Sequence, residues 1–290
     1  MRLTLRQLDV MVAIARTGST TEAGKELSLS QSAVSAALAE LESQLDTRVF
    51  DRVGKRVVLN DCGRLLLPRA LGVLDQMREI EHLFDDGAGA LRVGASTTVG
   101  NYLMPSVLGA FQRRWPLAQV ELEVGNTREV IDAVAAYRVD LGFIEGPCHH
   151  PELEVHAWME DELCVVAAPD HALSRRPAAT GALAAARWIL REPGSGTREA
   201  VESVLLPHLG TFGSAMHLGN SEAIKRAVAE GMGVSCLSLR VVQDWLESGR
   251  LVRVDQHLPR LQRMLFRIHP RRKVLSLPLR RFIEHCSHLH

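Results

Sequence analysis

The sequence predicts three parts in order: an N-terminal winged helix-turn-helix, a long linker helix and a C-terminal two-lobed α/β domain. Three observations predict this fold class. Two short amphipathic helical patterns occupy residues 19–45, one continuous helical repeat follows the first sixty residues, and strands alternate with helices from Ala90 onward. The expected boundaries are 1–60, 61–88 and 89–290, and the lobes of the third part would be about 89–161 with 267–290, and about 162–266.

The second helix of the N-terminal pair has two different faces. Val34, Leu38, Leu41 and Leu45 follow each other at steps of four, three and four, which is the period of one buried helical stripe. Ser30 is placed to cap this helix, and the S-x-x-E spacing of Ser19 and Glu22 predicts a capping box for the helix before it. The opposite face carries small or hydrogen-bonding residues that let a partner approach the backbone closely: Gln31, Ser32, Ser35, Ala36 and Ala39. Taken alone, such a pair is more often explained by ordinary core packing.

The flanking segments favour a DNA-binding motif over ordinary packing. An amphipathic helix containing Leu5, Leu8, Val12 and Ala15 precedes the pair. After it, residues 48–59 predict two short apolar strands around Gly54, and the basic residues of this hairpin suit contacts with phosphates: Arg52, Lys55 and Arg56. A helix pair with such a hairpin is the winged helix-turn-helix, whose second helix enters the major groove of DNA.

The segment LRQLDVMVAIARTGSTTEAGKELSLSQSAVSAALAELESQLDTRVFDR, residues 5–52, resembles the N-terminal signature of LysR-type transcriptional regulators. The resemblance implies contacts with double-stranded promoter DNA by Thr21, Gln31, Ser32 and Ser35 near the recognition helix and by Arg52 in the wing. It also implies RNA polymerase as a partner. The chain departs from the family pattern at Ser32, where the family usually has proline, and at Ala36, where it often has a basic or amide residue.

The charge balance limits how DNA could be bound. The chain has 34 Lys and Arg and 34 Asp and Glu residues, and residues 1–60 carry eight basic against seven acidic groups. A diffuse positive field is therefore excluded as the source of affinity, which must come from placed contacts and from two or more heads acting together.

Several features predict a cytoplasmic protein. The start MRLTLRQLDV lacks the continuous apolar core of a signal peptide, and no apolar run approaches the ~18 residues of a transmembrane helix. The five cysteines form an odd set without C-x-x-C spacing, which fits a reducing compartment. No membrane partner is expected.

The linker pattern has an apolar stripe at heptad spacing, formed by Ala70, Val73, Met77, Ile80 and Phe84. It ends at the glycines of Asp85-Asp86-Gly87-Ala88-Gly89. One interpretation is a connecting helix packed on its own domain. The family resemblance implies that the helix instead pairs with its copy in a homodimer, with a homotetramer as the commonest assembly.

The remainder of the chain predicts two α/β units. In the first, the strands ALRVGAS, QVELEVGN and DLGFIEG alternate with helices at 102–115 and 127–137. The second runs from the strand LCVVAAP to the strand GVSCLSL, and MLFRIHP with a helix at 277–286 returns to complete the first unit. Two such lobes joined by crossing strands leave a cleft between them.

Ligands of such sheets lie beyond the carboxyl ends of the strands, where helix N-termini favour anions. Polar segments occur at these positions: 96–98, 125–127, 194–198 and 219–221. For each segment alone a helix cap is the commoner explanation of the residues. Their convergence predicts a site for a small oxyanion, held by Ser96, Thr97, Thr98, Asn126, Ser195, Gly196 and Thr197. Glu145 faces the same cleft, and its charge would oppose an anion unless it pairs with Arg198 or the ligand is protonated.

The body resembles the effector-binding domain of the same family, which is similar to periplasmic solute-binding proteins. The runs STTVGNYLMP, ELEVGNT, DLGFIEG and REPGSGTRE are similar to the branch concerned with sulfur and carbon assimilation. This resemblance implies a sulfite-like or sulfate-like effector, with a phosphorylated or organic-acid metabolite as the alternative. Closure of the lobes on the effector would then change promoter binding or bending.

No motif for catalysis is present. The sequence lacks the G-x-S-x-G, G-x-x-x-x-G-K-[ST] and G-x-G-x-x-G patterns, so neither an enzyme nor a cofactor is expected. The alternative class is a solute-binding or lyase-like protein whose function lies in the C-terminal two-lobed domain alone. This alternative leaves residues 1–60 unexplained. Cysteine and histidine occur together in a turn, at Cys148, His149 and His150, and at the C-terminus, at His285, Cys286, His288 and His290. We expect no metal site there, because these segments have little to orient ligands.

Overall fold

The computed structural model of the chain describes residues 3–53, 56–81, 89–175, 177–254 and 258–287. Within these ranges, no helix is both long enough and apolar enough to cross a membrane. The N-terminal part is a winged helix-turn-helix followed by a long helix, as predicted. Its elements are α1 (Leu5–Thr17), α2 (Thr20–Glu26), α3 (Gln31–Leu45), β1 (Phe50–Val53), β2 (Arg56–Leu59) and α4 (Asp61–Glu81).

The helices of the head, residues 3–59, begin at side-chain caps. The hydroxyl of Ser30 accepts the amide of Ala33 at the start of α3, as the sequence predicts. Ser19 likewise accepts the amide of Glu22, but the Glu22 carboxylate binds Lys25 rather than returning to Ser19, so the predicted capping box is only half formed. A complete capping box lies instead at the start of α1, between Thr4 and Gln7.

The linker helix α4 is part of the head's core. Val34 and Leu41 of the predicted stripe are fully buried there, and one face of α4 packs against α1 in the same core. That face consists of Leu67, Ala70, Leu71 and Leu74. Ala70 was assigned to the pairing stripe, and the structure corrects this, because heptad spacing alone does not show which surface a helix faces. Val73 and Ile80 of the stripe remain 43% and 62% exposed, while Phe84 and the predicted glycine stop before Gly89 lie outside the described residues.

The body contains the following elements in chain order: β3 (Gly89–Ser96), α5 (Thr97–Tyr102), α6 (Met104–Arg114), β4 (Ala118–Gly125), α7 (Thr127–Ala135), β5 (Leu141–Glu145), β6 (Leu153–Ala167), α8 (Thr180–Ala185), β7 (Arg187–Arg191), α9 (Gly196–Leu209), β8 (Ser214–Leu218), α10 (Ser221–Ala229), β9 (Ser235–Ser238), α11 (Leu239–Glu247), β10 (Val252–Arg253), β11 (Gln262–Pro270) and α12 (Leu277–Ser287).

Two strands connect the lobes. In lobe I the strand order is β4-β3-β5-β11-β6, and β3 is parallel to β4 and β5. The second half of β6 continues into lobe II, where it pairs with β9 and β10. Strands β7 and β8 are parallel and join lobe II through the bridge between Trp188 and Val234. The strand returning to lobe I begins at Gln262, rather than near the expected boundary of 267.

Three body elements differ from the sequence expectation. The helix expected at 102–115 is α6, which begins at Met104 with Pro105 in its first turn, and the short helix α5 before it was not anticipated. The first half of β6 and the helix α11 were not anticipated. Their absence from the expectation does not alter the two-lobed class.

The head and linker contact lobe I through a buried charge cluster. The Lys273 ammonium lies 3.0 Å from an Asp75 oxygen of α4 and 3.3 Å from an Asp140 oxygen of the body, and its side chain is almost completely buried. Asp140 also accepts two hydrogen bonds from the Arg92 guanidinium. Burial alone raises the pKa of Asp140, but Lys273 and Arg92 outweigh it and hold that pKa below its usual value. The cluster therefore ties α4 to the segment that precedes β5.

Candidate functional site

The exposed end of α3 carries a small network of polar side chains. The Gln31 amide donates to the Ser35 hydroxyl at 2.9 Å and lies 3.4 Å from the Thr20 hydroxyl of α2. The hydroxyls of Ser30 and Ser32 are 2.9 Å apart. The structure thus brings the predicted recognition residues Gln31, Ser32 and Ser35 together at one helix end, and Thr21 is exposed on α2 beside them.

The turn between α2 and α3 depends on a close backbone approach. A Cβ atom added at Gly24 would lie 2.8 Å from the Leu29 carbonyl oxygen, so a larger residue would push the two helices apart. Ser28 adopts a left-handed conformation with φ of 54° in the same turn. This geometry fixes how α3 projects from the head.

The wing is a two-stranded antiparallel hairpin. Phe50 pairs with Leu59 and Arg52 pairs with Val57, so the strands β1 and β2 extend toward the turn between them. Arg52 and Arg56 are exposed on this hairpin, and Lys55 lies outside the described residues. Exposed guanidinium groups at this position suit contacts with DNA phosphates.

At the floor of the cleft, Glu145 ends β5 and is only 1% exposed. Its carboxylate accepts hydrogen bonds from the Ser96 hydroxyl at 3.0 Å, the Thr98 amide at 3.1 Å and the Thr197 hydroxyl at 2.5 Å. Burial alone raises the pKa of Glu145, but the Arg263 guanidinium 3.2 Å away and these hydrogen bonds outweigh it and lower that pKa. Glu145 is therefore a buried, ionised carboxylate already saturated by donors from both lobes.

Arg263 extends this cluster into the crossing strands. Its guanidinium donates to Asp161 at 2.7 Å and to the Thr197 hydroxyl at 3.0 Å, and Asp161 also accepts from the Ser238 hydroxyl at 2.7 Å. Burial lowers the pKa of Arg263, but the carboxylates of Glu145 and Asp161 outweigh it and raise that pKa. Because Arg263 lies on β11 and Asp161 on β6, the ion pair joins the two strands where they pass between the lobes.

A second buried arginine links the two lobes across the cleft. The side chain of Arg191, which ends β7, is 1% exposed. One of its terminal nitrogens donates to the Thr97 hydroxyl of lobe I at 2.7 Å and to the Ser221 hydroxyl of lobe II at 3.3 Å. Its other two nitrogens bind the Glu192 carboxylate at 2.7 and 2.8 Å. Arg191 thus places one cationic N–H group between hydroxyls of both lobes.

The lobes are closed on each other. The start of α9 packs against the end of β5 so tightly that a Cβ atom at Gly196 would lie 2.0 Å from the Glu145 carbonyl oxygen. The amide of Arg128 in lobe I donates to the Gly194 carbonyl of lobe II at 3.1 Å. Only glycine at position 196 is compatible with this contact.

The predicted ligand residues have different roles in the structure. Ser96, Thr98, Thr197 and Glu145 come together but bind one another, and Thr97 binds Arg191. Gly196 provides the close approach between the lobes. The remaining two act as helix caps, since Asn126 accepts the amide of Glu129 and Ser195 accepts the amide of Arg198.

Glu145 does not pair with Arg198, which was one of the two conditions considered for an anion beside it. Arg198 binds Glu202 at 2.8 Å, one helical turn away on α9, and Glu145 pairs with Arg263 instead. Sequence reasoning missed Arg191, Arg263 and Asp161 as members of the cleft. The available signal was a charged residue inside an apolar strand, as in WILR and RMLF, which predicts a buried charge needing a partner.

The cysteines and histidines that were considered for a metal do not form a three-ligand group within the described part of the chain. His150 accepts the amide of Glu152, and the His285 ring contacts the Val107 carbonyl oxygen. Burial raises the pKa of the Cys286 thiol to about 12, and Cys286 packs in the core of lobe I. His288 and His290 lie outside the described residues.

A winged helix-turn-helix joined by a helix to a two-lobed domain with a polar cleft defines the class of DNA-binding regulators that carry a separate ligand-binding domain. Residues 5–64 match the family model "Bacterial regulatory helix-turn-helix protein, lysR family", and residues 85–289 match "LysR substrate binding domain". The chain belongs to the LysR family of transcriptional regulators. It is therefore a regulator and not an enzyme, and the resemblance seen in the sequence is confirmed.

Similar proteins match the chain over both its N-terminal head and its two-lobed body. It is 56% identical over 287 residues to the "Uncharacterized HTH-type transcriptional regulator YeiE" of Escherichia coli K12, covering 99% of this chain and 98% of the relative. It is 35% identical over 281 residues to the "RuBisCO operon transcriptional regulator" of Allochromatium vinosum, covering 95% and 93%. The first of these relatives shares the complete head, linker and body.

Solved structures show the same fold. A full-length single-residue variant of OxyR from Pseudomonas aeruginosa superposes with a TM-score of 0.76 at 23% identity, covering 99% of this chain and 94% of that one. The CcmR regulatory domain of Synechocystis PCC6803, in complex with 2-PG, superposes with a TM-score of 0.63 at 29% identity, covering 69% and 96%. The predicted fold class is confirmed over the whole length.

Proposed function

We propose that this chain is a promoter-binding regulator whose two-lobed domain binds a small inorganic oxyanion of the sulfite or sulfate type. Binding changes how the heads engage or bend the promoter. The observation that carries the proposal is the position of Arg191, whose buried guanidinium holds one N–H group between the hydroxyls of Thr97 and Ser221. These three groups offer an anion one charge-assisted donor and two hydroxyls from opposite lobes, while the other nitrogens of Arg191 bind Glu192.

The elements around Arg191 favour a negative ligand. The helices α7, α9 and α10 each begin shortly after a strand, so their N-termini, which favour negative charge, lie at the edge where the lobes meet. With the lobes closed, the surrounding polar groups are already within hydrogen-bonding distance of one another. A ligand that enters while this closed arrangement persists must therefore be small.

Glu145 directs the anion toward Arg191. The charge of Arg263 is already balanced by Glu145 and Asp161, at 3.2 and 2.7 Å, so Arg263 has no free charge for a ligand. Glu145 thus occupies the place that an anion would take at the floor of the cleft. Of the predicted residues, we retain Thr97 as a direct ligand contact and assign Ser96, Thr98, Thr197 and Glu145 to supporting this arrangement.

A phosphorylated or organic-acid metabolite is the alternative effector. The CcmR regulatory domain, which is 29% identical to this chain, was solved in complex with 2-PG. Such a ligand requires more room than sulfite. It is therefore expected to bind only if the lobes open beyond the arrangement seen here.

We further propose that α4 pairs with the same helix of a second chain. Val73 and Ile80 are exposed, and a helix that joins two domains leaves such an apolar stripe uncovered only at a cost. A homodimer, or a homotetramer built from two dimers, would place at least two heads on one promoter in the cytoplasm, where RNA polymerase is the expected partner. Two linked heads that bind the same promoter gain the DNA affinity that the small net charge of a single head does not provide.

Calorimetry of the full-length protein with sulfite, sulfate, phosphate and 2-PG tests the ligand. Arg191→Gln and Thr97→Val each remove one proposed contact, and we expect affinity to fall about 10- to 100-fold, the loss of one charge-assisted hydrogen bond of about 1.5–3 kcal/mol. Arg138→Gln is the matched control, because Arg138 pairs with Glu123 on the surface of lobe I. Absence of heat with all four anions, or equal losses in all three variants, contradicts the proposed site.

Gel retardation with DNA from upstream of the chain's own gene tests the head. Gln31→Ala should weaken binding, while Gln44→Ala, on the far side of α3, should not. Replacing any one of the wing residues Arg52, Lys55 and Arg56 by Gln should lower the affinity for DNA without changing the sequence preference. The reason is that these residues are proposed to contact phosphates. Light scattering reports the assembly, and a monomer that does not retard the DNA contradicts the proposed function.

A further inference from the structure

Three potential metal ligands lie together on lobe I, away from the cleft. They are Glu154 and His156 of β6 and His269 of β11. The His156 and His269 Nε2 atoms lie 3.4 and 3.6 Å from the same carboxylate oxygen, Oε2 of Glu154. No two of the three ligand atoms are more than 4.8 Å apart.

These separations are close to those of a zinc site. A tetrahedral Zn²⁺ ion with nitrogen and oxygen ligands at about 2.0–2.1 Å holds those ligands about 3.3 Å from one another. Both nitrogen–oxygen distances are therefore within a few tenths of an ångström of the bound geometry. Small rotations about the side-chain bonds would complete it.

The strand pairing makes the arrangement rigid. Glu154 and His156 are two residues apart on β6 and so share one face of the sheet, and His269 lies directly opposite Glu154 on β11. The two imidazole rings stack with centroids 5.5 Å apart and planes 22° from parallel. Ligands on paired strands are held more firmly than ligands on a turn or at a chain end.

The hydrogen bonding of His269 leaves the lone pair of its Nε2 atom available to a metal ion. Its Nδ1 lies 3.2 Å from the Pro270 carbonyl oxygen, which can only accept, so Nδ1 carries the proton and Nε2 offers its lone pair toward Glu154. A backbone carbonyl behind a histidine is the usual support of a metal ligand.

One neighbouring charge opposes a cation. Arg267 lies opposite His156 on β11, and its positive charge also acts on His269. The Arg267 Nε atom is buried and makes no hydrogen bond to the described residues. The ion must therefore bind strongly enough through imidazole nitrogens to overcome this repulsion, which favours Zn²⁺ over Ca²⁺ or Mg²⁺.

We infer that Glu154, His156 and His269 form a binding site for Zn²⁺ or a similar transition-metal ion on lobe I, with water as the fourth ligand. The three residues come from two segments more than a hundred positions apart, which is why no spacing motif in the sequence reveals the site. The site does not depend on the anion proposed for the cleft. It would fasten β6 to β11, the two strands that connect the lobes.

Titration of the full-length, untagged and chelator-treated protein with Co²⁺, followed by displacement with Zn²⁺, tests this site. We expect one Co²⁺ per chain with the intense visible absorption of four-coordinate cobalt. His269→Gln and His156→Gln should each lower the affinity at least tenfold and weaken that absorption. His156 is exposed, so its variant remains a valid test if the buried His269 variant does not fold.

The double variant His149→Gln with His150→Gln is the matched control, since these histidines lie just before β6 in the turn that also contains Cys148. It should bind Co²⁺ with unchanged affinity. The proposal is overturned if no saturable binding occurs, or if binding is lost in this control and retained in the two site variants.

Discussion

The replacement Glu145→Gln removes the buried charge at the floor of the cleft while keeping the size of the side chain. The Ser96 hydroxyl and the Thr98 amide donate to Oε1 of Glu145 and can still donate to the amide oxygen of glutamine. The Thr197 hydroxyl and Arg263 point at Oε2 and would then face an NH₂ group, which cannot accept their protons. The variant therefore loses the ionic half of the cluster.

The loss of stability depends on the ion pair that Arg263 keeps in the variant. Breaking a buried ion pair costs about 3–5 kcal/mol when the remaining charge is left without a partner. Arg263 keeps Asp161 at 2.7 Å, so we expect the lower end, a loss of about 3 kcal/mol in the free energy of unfolding at pH 7. Glu123→Gln is the control, because Glu123 pairs with Arg138 on the surface and its loss should cost less than about 1 kcal/mol.

The effect should depend on pH in a defined direction. The pKa of Glu145 is lowered in the folded protein, so its stabilising contribution is complete above the unfolded value of about 4.3 and is lost as pH falls through the folded value. Over that range the wild type loses at most about 1.4 kcal/mol per pH unit through this group. The variant lacks this contribution. The difference between the two proteins should therefore shrink below about pH 4.

Urea unfolding followed by tryptophan fluorescence measures the effect. All four tryptophans, Trp115, Trp158, Trp188 and Trp245, belong to the two-lobed domain, so the signal does not include unfolding of the head. A loss below about 1 kcal/mol at pH 7, or a difference that stays constant between about pH 7 and about pH 3.5, would refute the assignment of Glu145 as an ionised structural group.

Three further outcomes are expected. Gly196→Ala should force the lobes apart, because its Cβ would meet the Glu145 carbonyl oxygen at 2.0 Å, and small-angle scattering should show a larger radius of gyration with loss of anion binding. Lys273→Met removes the link to Asp75 of α4. It should leave anion binding by the body intact but reduce the factor by which the anion changes the affinity for promoter DNA. Gel retardation with and without the anion measures this factor. A thiol reagent should label exposed Cys62 rapidly in the native protein and reach the buried thiols, whose pKa values burial raises, only on unfolding: Cys164, Cys236 and Cys286.

The sequence allowed the head to be predicted almost completely, because its signals are local. Ser30 caps α3, and the predicted stripe faces the core, with Val34 and Leu41 fully buried and Leu38 and Leu45 partly buried. The linker was harder, since one helix presents two apolar faces. Heptad spacing assigned Ala70 and Val73 to one surface, whereas the structure buries Ala70 in the head and exposes Val73.

The cleft was predictable only in part. Hydroxyl and glycine residues after strands mark helix starts, so Thr97 and Gly196 could be placed at the cleft from the order of strands and helices. What these residues bind depends on partners far along the chain: Thr97 meets Arg191 and Thr197 meets Arg263. The apolar residues beside Arg263 indicate a buried charge, but only the pairing of β6 with β11 shows that its partner is Asp161.

The strand β5 provides a structural connection between the cleft and the linker helix. Glu145 ends this strand, and Asp140 immediately precedes it and binds Lys273, which binds Asp75 of α4. All five residues of β5 are buried, and packed strands do not absorb displacement by bending locally. A ligand that alters the Glu145 cluster therefore acts on α4 through one short, rigid element. Linkage then requires that promoter DNA change the affinity for the ligand by the same factor by which the ligand changes the affinity for DNA.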